Sequence, residues 1–212
     1  MNPSKLCLAV AVASAVVAPA VQAQVNVVKF GAVRYDPHTK TSGLTGIGVP
    51  PGADAKIEGA TTALFVYERL LGPNWGVELA LGLPPRMKAR ATGSAAFLGD
   101  VVSVRNVAPT VLVNYHFGSA ADPIRPYAGI GINYTRFASI RTSYPWDVSL
   151  SDSVGPAVNL GLELTMAKPW TFFASASYIK VKTDLVAVGA SVLQSSIDVR
   201  PMVYAVGAAY RF

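Results

Sequence analysis

Trp75, Val77, Leu79, Leu81 and Leu83 take every second position of one stretch, with Gly76, Glu78, Ala80 and Gly82 between them. Alternation with a period of two places the two sets on opposite faces of a strand. The pattern recurs in eight segments, at about 25–35, 57–69, 75–83, 105–117, 125–137, 153–165, 170–182 and 203–212. In the last of these Tyr204, Val206, Ala208, Tyr210 and Phe212 share a face opposite small residues and Arg211. The connections alternate between short turns and the longer stretches 36–56, 88–104, 138–152 and 183–196. This is the pattern of an all-β chain folded as an eight-stranded antiparallel up-and-down transmembrane β-barrel. The short turns are expected at the periplasmic end and the long loops outside the cell. A soluble barrel would turn its large apolar residues inward, whereas here the other face is made of small ones.

The first residues predict how such a chain reaches a membrane. Lys5 precedes an apolar run that ends in Val21-Gln22-Ala23, a small-x-small pattern. Residues 1–23 are therefore expected to be a cleaved secretory signal peptide, leaving 24–212 as the barrel. Cys7, the single cysteine, departs with it, so the mature chain has no disulfide or thiolate chemistry. The composition is 51% hydrophobic and 14% charged, yet no later apolar run reaches the ~20 residues of a membrane helix. Strands of about 9–11 residues cross with alternation alone. The formal charge of +6, one unit of which belongs to Lys5, suits phosphate-rich partners. Export favours lipopolysaccharide over nucleic acid. An even number of strands puts both termini in the periplasm. Trp75, Trp170, Tyr67, Tyr115, Phe117, Tyr210 and Phe212 then form one aromatic girdle, and Tyr134, Phe137 and Tyr178 another.

Several stretches together resemble a known family. They are Gly76-Val77-Glu78-Leu79, Pro85-Arg86, Arg90-Ala91-Thr92-Gly93, Ala108-Pro109-Thr110, Phe117-Gly118, Leu150-Ser151-Asp152-Ser153 and Ala209-Tyr210-Arg211-Phe212. The most specific is Arg125-Pro126-Tyr127-Ala128-Gly129-Ile130-Gly131-Ile132-Asn133-Tyr134. The chain resembles the OmpW family of outer-membrane proteins, including its AlkL-like branch linked to alkane uptake. The resemblance implies a narrow, largely apolar channel for small hydrophobic molecules. The first long connection, 36–56, matches little of the family.

The inward positions supply a picture of their own. Lys29, Glu68, Glu78, Glu163 and Arg211 fall near the periplasmic end, with His116 close by, and predict a paired, charged floor. Above it Leu64, Ala80, Leu112, Phe173 and Val203 predict an apolar lumen, where small residues leave space in a barrel that eight strands otherwise just fill. An apolar solute has no good route down through charges. Pro84 and Pro85 end the third segment and Pro109 lies in the fourth; lacking a donor N–H, they mark a possible lateral exit, or simply strand ends and bends. Arg86, Lys88 and Arg90 sit where lipopolysaccharide phosphates lie, although a solvated loop base explains them equally well.

The expected function is passive uptake of small hydrophobic molecules through the outer membrane. The alternatives are a structural or surface-interaction barrel and, more remotely, an acyltransferase or lipase built on Asp36, His38 and Ser42, which no motif supports. No cofactor or metal is implied. The expected partners are outer-membrane lipid, lipopolysaccharide, the barrel-assembly machinery reading Phe212, and a small apolar solute. The chain is expected to be a monomer.

Overall fold

The structure is a computed structural model that describes residues 25–41, 51–145, 147–188 and 192–212. The expected signal peptide and Ser42 lie outside these residues. The described chain forms strands β1 Val25–Asp36, β2 Thr39–Thr41, β3 Ala53–Ile57, β4 Ala60–Leu70, β5 Trp75–Gly82, β6 Arg86–Gly93, β7 Asp100–Val107 and β8 Thr110–His116. They are followed by β9 Ile124–Thr142, β10 Asp147–Leu150, β11 Ser153–Ala167, β12 Trp170–Ile179, β13 Val181–Val188, β14 Val192–Val199 and β15 Met202–Arg211.

Eight strands close an antiparallel barrel in the order β1, β4, β5, β8, β9, β11, β12, β15, and β15 returns to β1. The closing register runs from Val27 opposite Arg211 to Asp36 opposite Met202. At the seam Asn26 and Phe212 exchange backbone hydrogen bonds of 2.8 and 2.9 Å. The period-two pattern is realised directly. Ile130 and Val154 are each 70% exposed, while Val27, Val33 and Val66 are at most 2% exposed. A closed ring of outward Ile, Val and Leu is far more apolar surface than water tolerates, and it is the lipid-facing band of a membrane barrel.

At the end that holds Val25 and Phe212, here the near end, outward aromatics touch one another. Trp75 meets Tyr115 at 5.0 Å and Tyr115 meets Phe117 at 5.1 Å, edge to face. Trp170 meets Tyr210 at 5.0 Å, and Tyr210 stacks on Phe212 at 6.2 Å. These contacts make two clusters at the near end, one at the β5–β8 border and one at the β12–β15 border. Phe137 does not join the far girdle. It is partly buried and packs against the inner apolar cluster, because odd-numbered residues of β9 such as Asn133 and Thr135 face inward.

The longer connections are largely strand. β6 and β7 form a hairpin, β3 adds to β6, and β7 continues along the end of β9. β10, β13, β14 and β2 make a second, four-stranded sheet. Stretches 88–104 and 183–196, expected as loops, are thus mostly hydrogen-bonded extensions of the wall. β6 alternates Met87, Ala89 and Ala91 with Lys88 and Arg90, but the run is short and lies beyond the apolar band, where the sequence reads equally as a loop base. A small core of Ala53, Ala91, Ala95 and Val101 packs under the β6–β7 hairpin.

Candidate functional site

Strand register brings the inward charges to one level. Glu68 of β4 stands directly opposite Glu78 of β5, and Glu163 of β11 directly opposite Arg125 of β9. Two carboxylates face to face repel each other, and Lys29 of β1 reaches between them. Its Nζ lies 2.9 Å from Glu68, 3.1 Å from Glu78 and 3.4 Å from Glu163. Arg211 of β15 meets Glu163 at 3.3 Å. His116 Nε2 lies 2.7 Å from Glu68. Lys29, Glu68 and His116 are at most 1% exposed. Breaking one partner out of such a buried network costs about 3–5 kcal/mol, because it strands the others. The five charged residues expected at the floor are therefore brought together, with His116.

Three floor residues escape the sequence analysis. Asn114 donates to Glu68 at 3.1 Å and to Glu78 at 3.0 Å. Arg125 donates to the backbone carbonyls of Phe117 and Pro73, tying two near-end turns together. Tyr127 stacks on His116 with ring centres 5.2 Å apart, and Lys29 Nζ stands 4.8 Å from its centre. Glycine is the signal that could have located Tyr127 and Asn114. The Tyr127 ring occupies the place of a side chain at Gly161, and the Asn114 amide does so at Gly129. Inward glycines here are not empty space, as the sequence suggests. Gly129 and Gly161 are seats for long side chains from adjacent strands, and Gly31 and Gly131 let neighbouring backbones approach.

Above the floor lies a cavity lined by Leu64, Ala80, Leu112, Phe173 and Val203, the residues expected in the lumen, and also by Tyr35, Ala108, Asn159 and Ser177. Its wall is apolar on the β1, β4, β5 and β15 side. The other side mixes apolar Leu112, Ala157, Phe173 and Ile179 with polar Thr110, Asn159 and Ser177; Ser177 donates to Asn159 at 2.9 Å, and Asn133 to Thr110 at 2.8 Å. The small and apolar residues expected there are joined by polar ones, since alternation reports which face a residue takes, not its polarity. The room open to water-molecule centres is about 50 Å³, space for roughly four waters at ~10–15 Å³ each.

The wall between β5 and β8 is paired from Trp75 opposite Tyr115 to Ala80 opposite Thr110, where the register ends. Leu83, Pro84 and Pro85 on one side and Ala108 and Pro109 on the other lie outside strands. Contact resumes higher up, where Asn106 N donates to the Pro85 carbonyl at 3.3 Å. The prolines thus flank one short break, and Ala80, Gly82, Ala108 and Thr110 around it all line the cavity.

The basic group at the far end is not uniform. Lys88 and Arg90 share the carboxylate of Asp100, at 2.9 and 3.3 Å, while Arg86 donates to the Ser103 hydroxyl at 3.3 Å. Asp36 and His38 are exposed. Glu68, His116 and Glu163 offer ligand atoms within 4.8 Å of one another, but the Lys29 ammonium already supplies the positive charge there, and a metal ion would have to expel it.

A family model described as the OmpW family matches residues 23–212. Outer membrane protein W of Vibrio cholerae is 31% identical over 127 residues, 57% of this chain and 58% of that protein, so the chain spans less than two thirds of that relative. The dibenzothiophene metabolism operon protein PahQ of Pseudomonas aeruginosa is 32% identical over 154 residues, 72% of this chain and 70% of that protein. The crystal structure of the outer membrane protein OprG from Pseudomonas aeruginosa superposes with a TM-score of 0.83 at 24% identity, covering 90% of this chain and 97% of that one, a likeness of fold.

Proposed function

The chain belongs to the OmpW family of outer-membrane barrel proteins, and from that premise we propose that it is a channel for passive uptake of small hydrophobic molecules with a lateral exit through the barrel wall. The observation that carries this reading is the meeting of the cavity with the break between β5 and β8. Residues on both borders of the break line the cavity. The polar, paired floor offers an apolar solute no favourable path downward, whereas a gap in the wall opens onto lipid. The free space is too small for a drug-sized ligand, whose pockets run to about 300–1,000 Å³. Passage therefore requires the β5–β8 border and the side chains beside it to move apart. The link of PahQ to dibenzothiophene metabolism, carried in its name, makes fused-ring aromatic sulfur compounds the first solutes to test.

In this reading the near end, with its short turns and aromatic clusters, faces the periplasm, and the strand extensions stand outside the cell. The experiment is uptake of radiolabelled dibenzothiophene by cells with and without the protein. A Leu83→Cys/Ala108→Cys pair, bridged across the break by a reducible bifunctional thiol reagent, tests the exit. Uptake that falls on bridging and returns on reduction supports the lateral route. Uptake indifferent to the bridge removes the lateral exit and keeps the channel. Equal uptake with and without the protein removes both and favours a structural or surface-interaction barrel, a reading that the small free volume also suits.

A further inference from the structure

The outward face of the far-end sheet carries arginines that the channel reading does not use. Cross-strand register places Arg86 of β6 directly opposite Arg105 of β7, and Ser103 opposite both Lys88 and Arg141 of β9. Arg136 stands opposite Val107. Residues directly opposite share a face, so these arginines form one panel, and Arg105, Arg136 and Arg141 are all exposed. Like charges directly opposite are destabilising. The charges of Arg141 and Arg105, after desolvation, lower the pKa of Arg86 below its ordinary value. Asp100 is taken by Lys88 and Arg90, and Glu58 stands beside Lys88. Among the described residues Arg105, Arg136 and Arg141 have no ion-pair partner. Elsewhere at the far end Arg200 is neutralised by Asp198 at 2.8 Å.

The panel begins where the lipid-facing band stops. On β9 the outward series is Ile130, Ile132, Tyr134 and then Arg136; on β8 and β7 it is Val113, Val111, Val107 and then Arg105. One outward step along a strand is about 6.6 Å, which puts the guanidinium groups at headgroup depth. A repelling set of planar guanidiniums at that depth is suited to phosphate, which each can bind through two parallel N–H donors.

We propose that Arg86, Arg105, Arg136 and Arg141 form a binding site for the phosphate groups of lipopolysaccharide on the outer wall of the barrel. The proposal rests on the orientation given above, which puts this sheet in the outer leaflet. Lipopolysaccharide carries several phosphates on one rigid glycolipid headgroup and engages several arginines at once, which a phospholipid with a single phosphate cannot do. The site lies on β6, β7 and the far end of β9, apart from the cavity, and holds the lipid beside the β5–β8 break.

The test uses the purified full-length protein in detergent and measures retention of three probes: lipopolysaccharide, the same lipopolysaccharide with its phosphates removed, and phosphatidylglycerol. Lipopolysaccharide is expected to bind at least about tenfold more tightly than either other probe, since charge-assisted pairs are the strong ones. Arg86→Gln/Arg105→Gln/Arg141→Gln is expected to lose that advantage, while Arg34→Gln on β1 keeps it. Equal retention of the dephosphorylated form, or of phosphatidylglycerol, overturns the proposal, as does full retention by a folded triple variant. If the triple variant fails to fold, the probe comparison on the wild-type protein decides alone. Labelling of Phe97→Cys, at the tip of the β6–β7 hairpin, by a membrane-impermeant maleimide on intact cells checks the orientation. Labelling only after the outer membrane is permeabilised overturns the outer-leaflet placement and with it this site. Normal uptake without selective lipopolysaccharide retention overturns this site and leaves the channel standing; the reverse result overturns only the channel.

Discussion

The Nζ atom of Lys29 stands 4.8 Å from the centre of the Tyr127 ring, at the level where the charged floor meets the cavity. The ring lies over Gly161 and against His116, so one side chain both covers the carboxylate network and closes the lumen from below. Tyr127→Ala is expected to raise conductance across planar bilayers severalfold and to cost about 3–5 kcal/mol of stability. Unchanged conductance with a folded barrel would show that the tyrosine is not the closure.

Lys29→Met leaves Glu68, Glu78 and Glu163 without the ammonium that separates them. A loss of about 3–5 kcal/mol is expected in urea unfolding from micelles. Lys29→Met/Glu78→Gln should lose less than the sum of the two single variants, because they act on one network. Additive losses would refute the shared network.

Phe212 exchanges two backbone hydrogen bonds with Asn26 and stacks on Tyr210. Its deletion removes the last rung of the seam that closes the barrel. Heat-modifiable gel migration of outer-membrane fractions is expected to show less folded protein, with normal uptake per inserted molecule. Normal surface levels would rule out a role in assembly.

A hydrogen bond from Lys88 holds the Asp100 carboxyl below its ordinary pKa of 3.8. A depressed folded-state pKa contributes stability above the unfolded value, and that contribution disappears as pH falls through the folded one. Amide exchange in the β6–β7 hairpin is therefore expected to show this pair's full, pH-independent contribution between pH 8 and about 5 and a gain in opening only below about 4. Asp100→Asn should remove the acid-side change. The same acid-side change in the variant would assign the dependence to another group.

Much of the fold was legible because a membrane barrel writes its two environments into alternate residues. Trp75 to Leu83 and Tyr204 to Phe212 display lipid on one side and a narrow interior on the other, and both are found so. The inward charges were legible for the same reason: only pairing with one another makes Lys29 and Glu68 tolerable inside. The extensions β6, β7, β13 and β14 were not: Met87, Ala89 and Ala91 do alternate with Lys88 and Arg90, but over a short run beyond the apolar band that reads equally as the base of a loop. Phe137 was misjudged by one residue's worth of phase, since the girdle was read from residue type and not from the parity of β9.

The sequence by itself determined the strand count, the closed barrel, its outward apolar band and the presence of a buried charge cluster, all of which follow from period-two chemistry acting along single strands. The tertiary structure decided what register decides: that Glu68 faces Glu78 with Lys29 between them, that Tyr127 fills Gly161, that the proline breaks coincide, and that Arg86 meets Arg105. Those are relations between strands, and alternation within a strand carries no information about how far its neighbour has slid beside it.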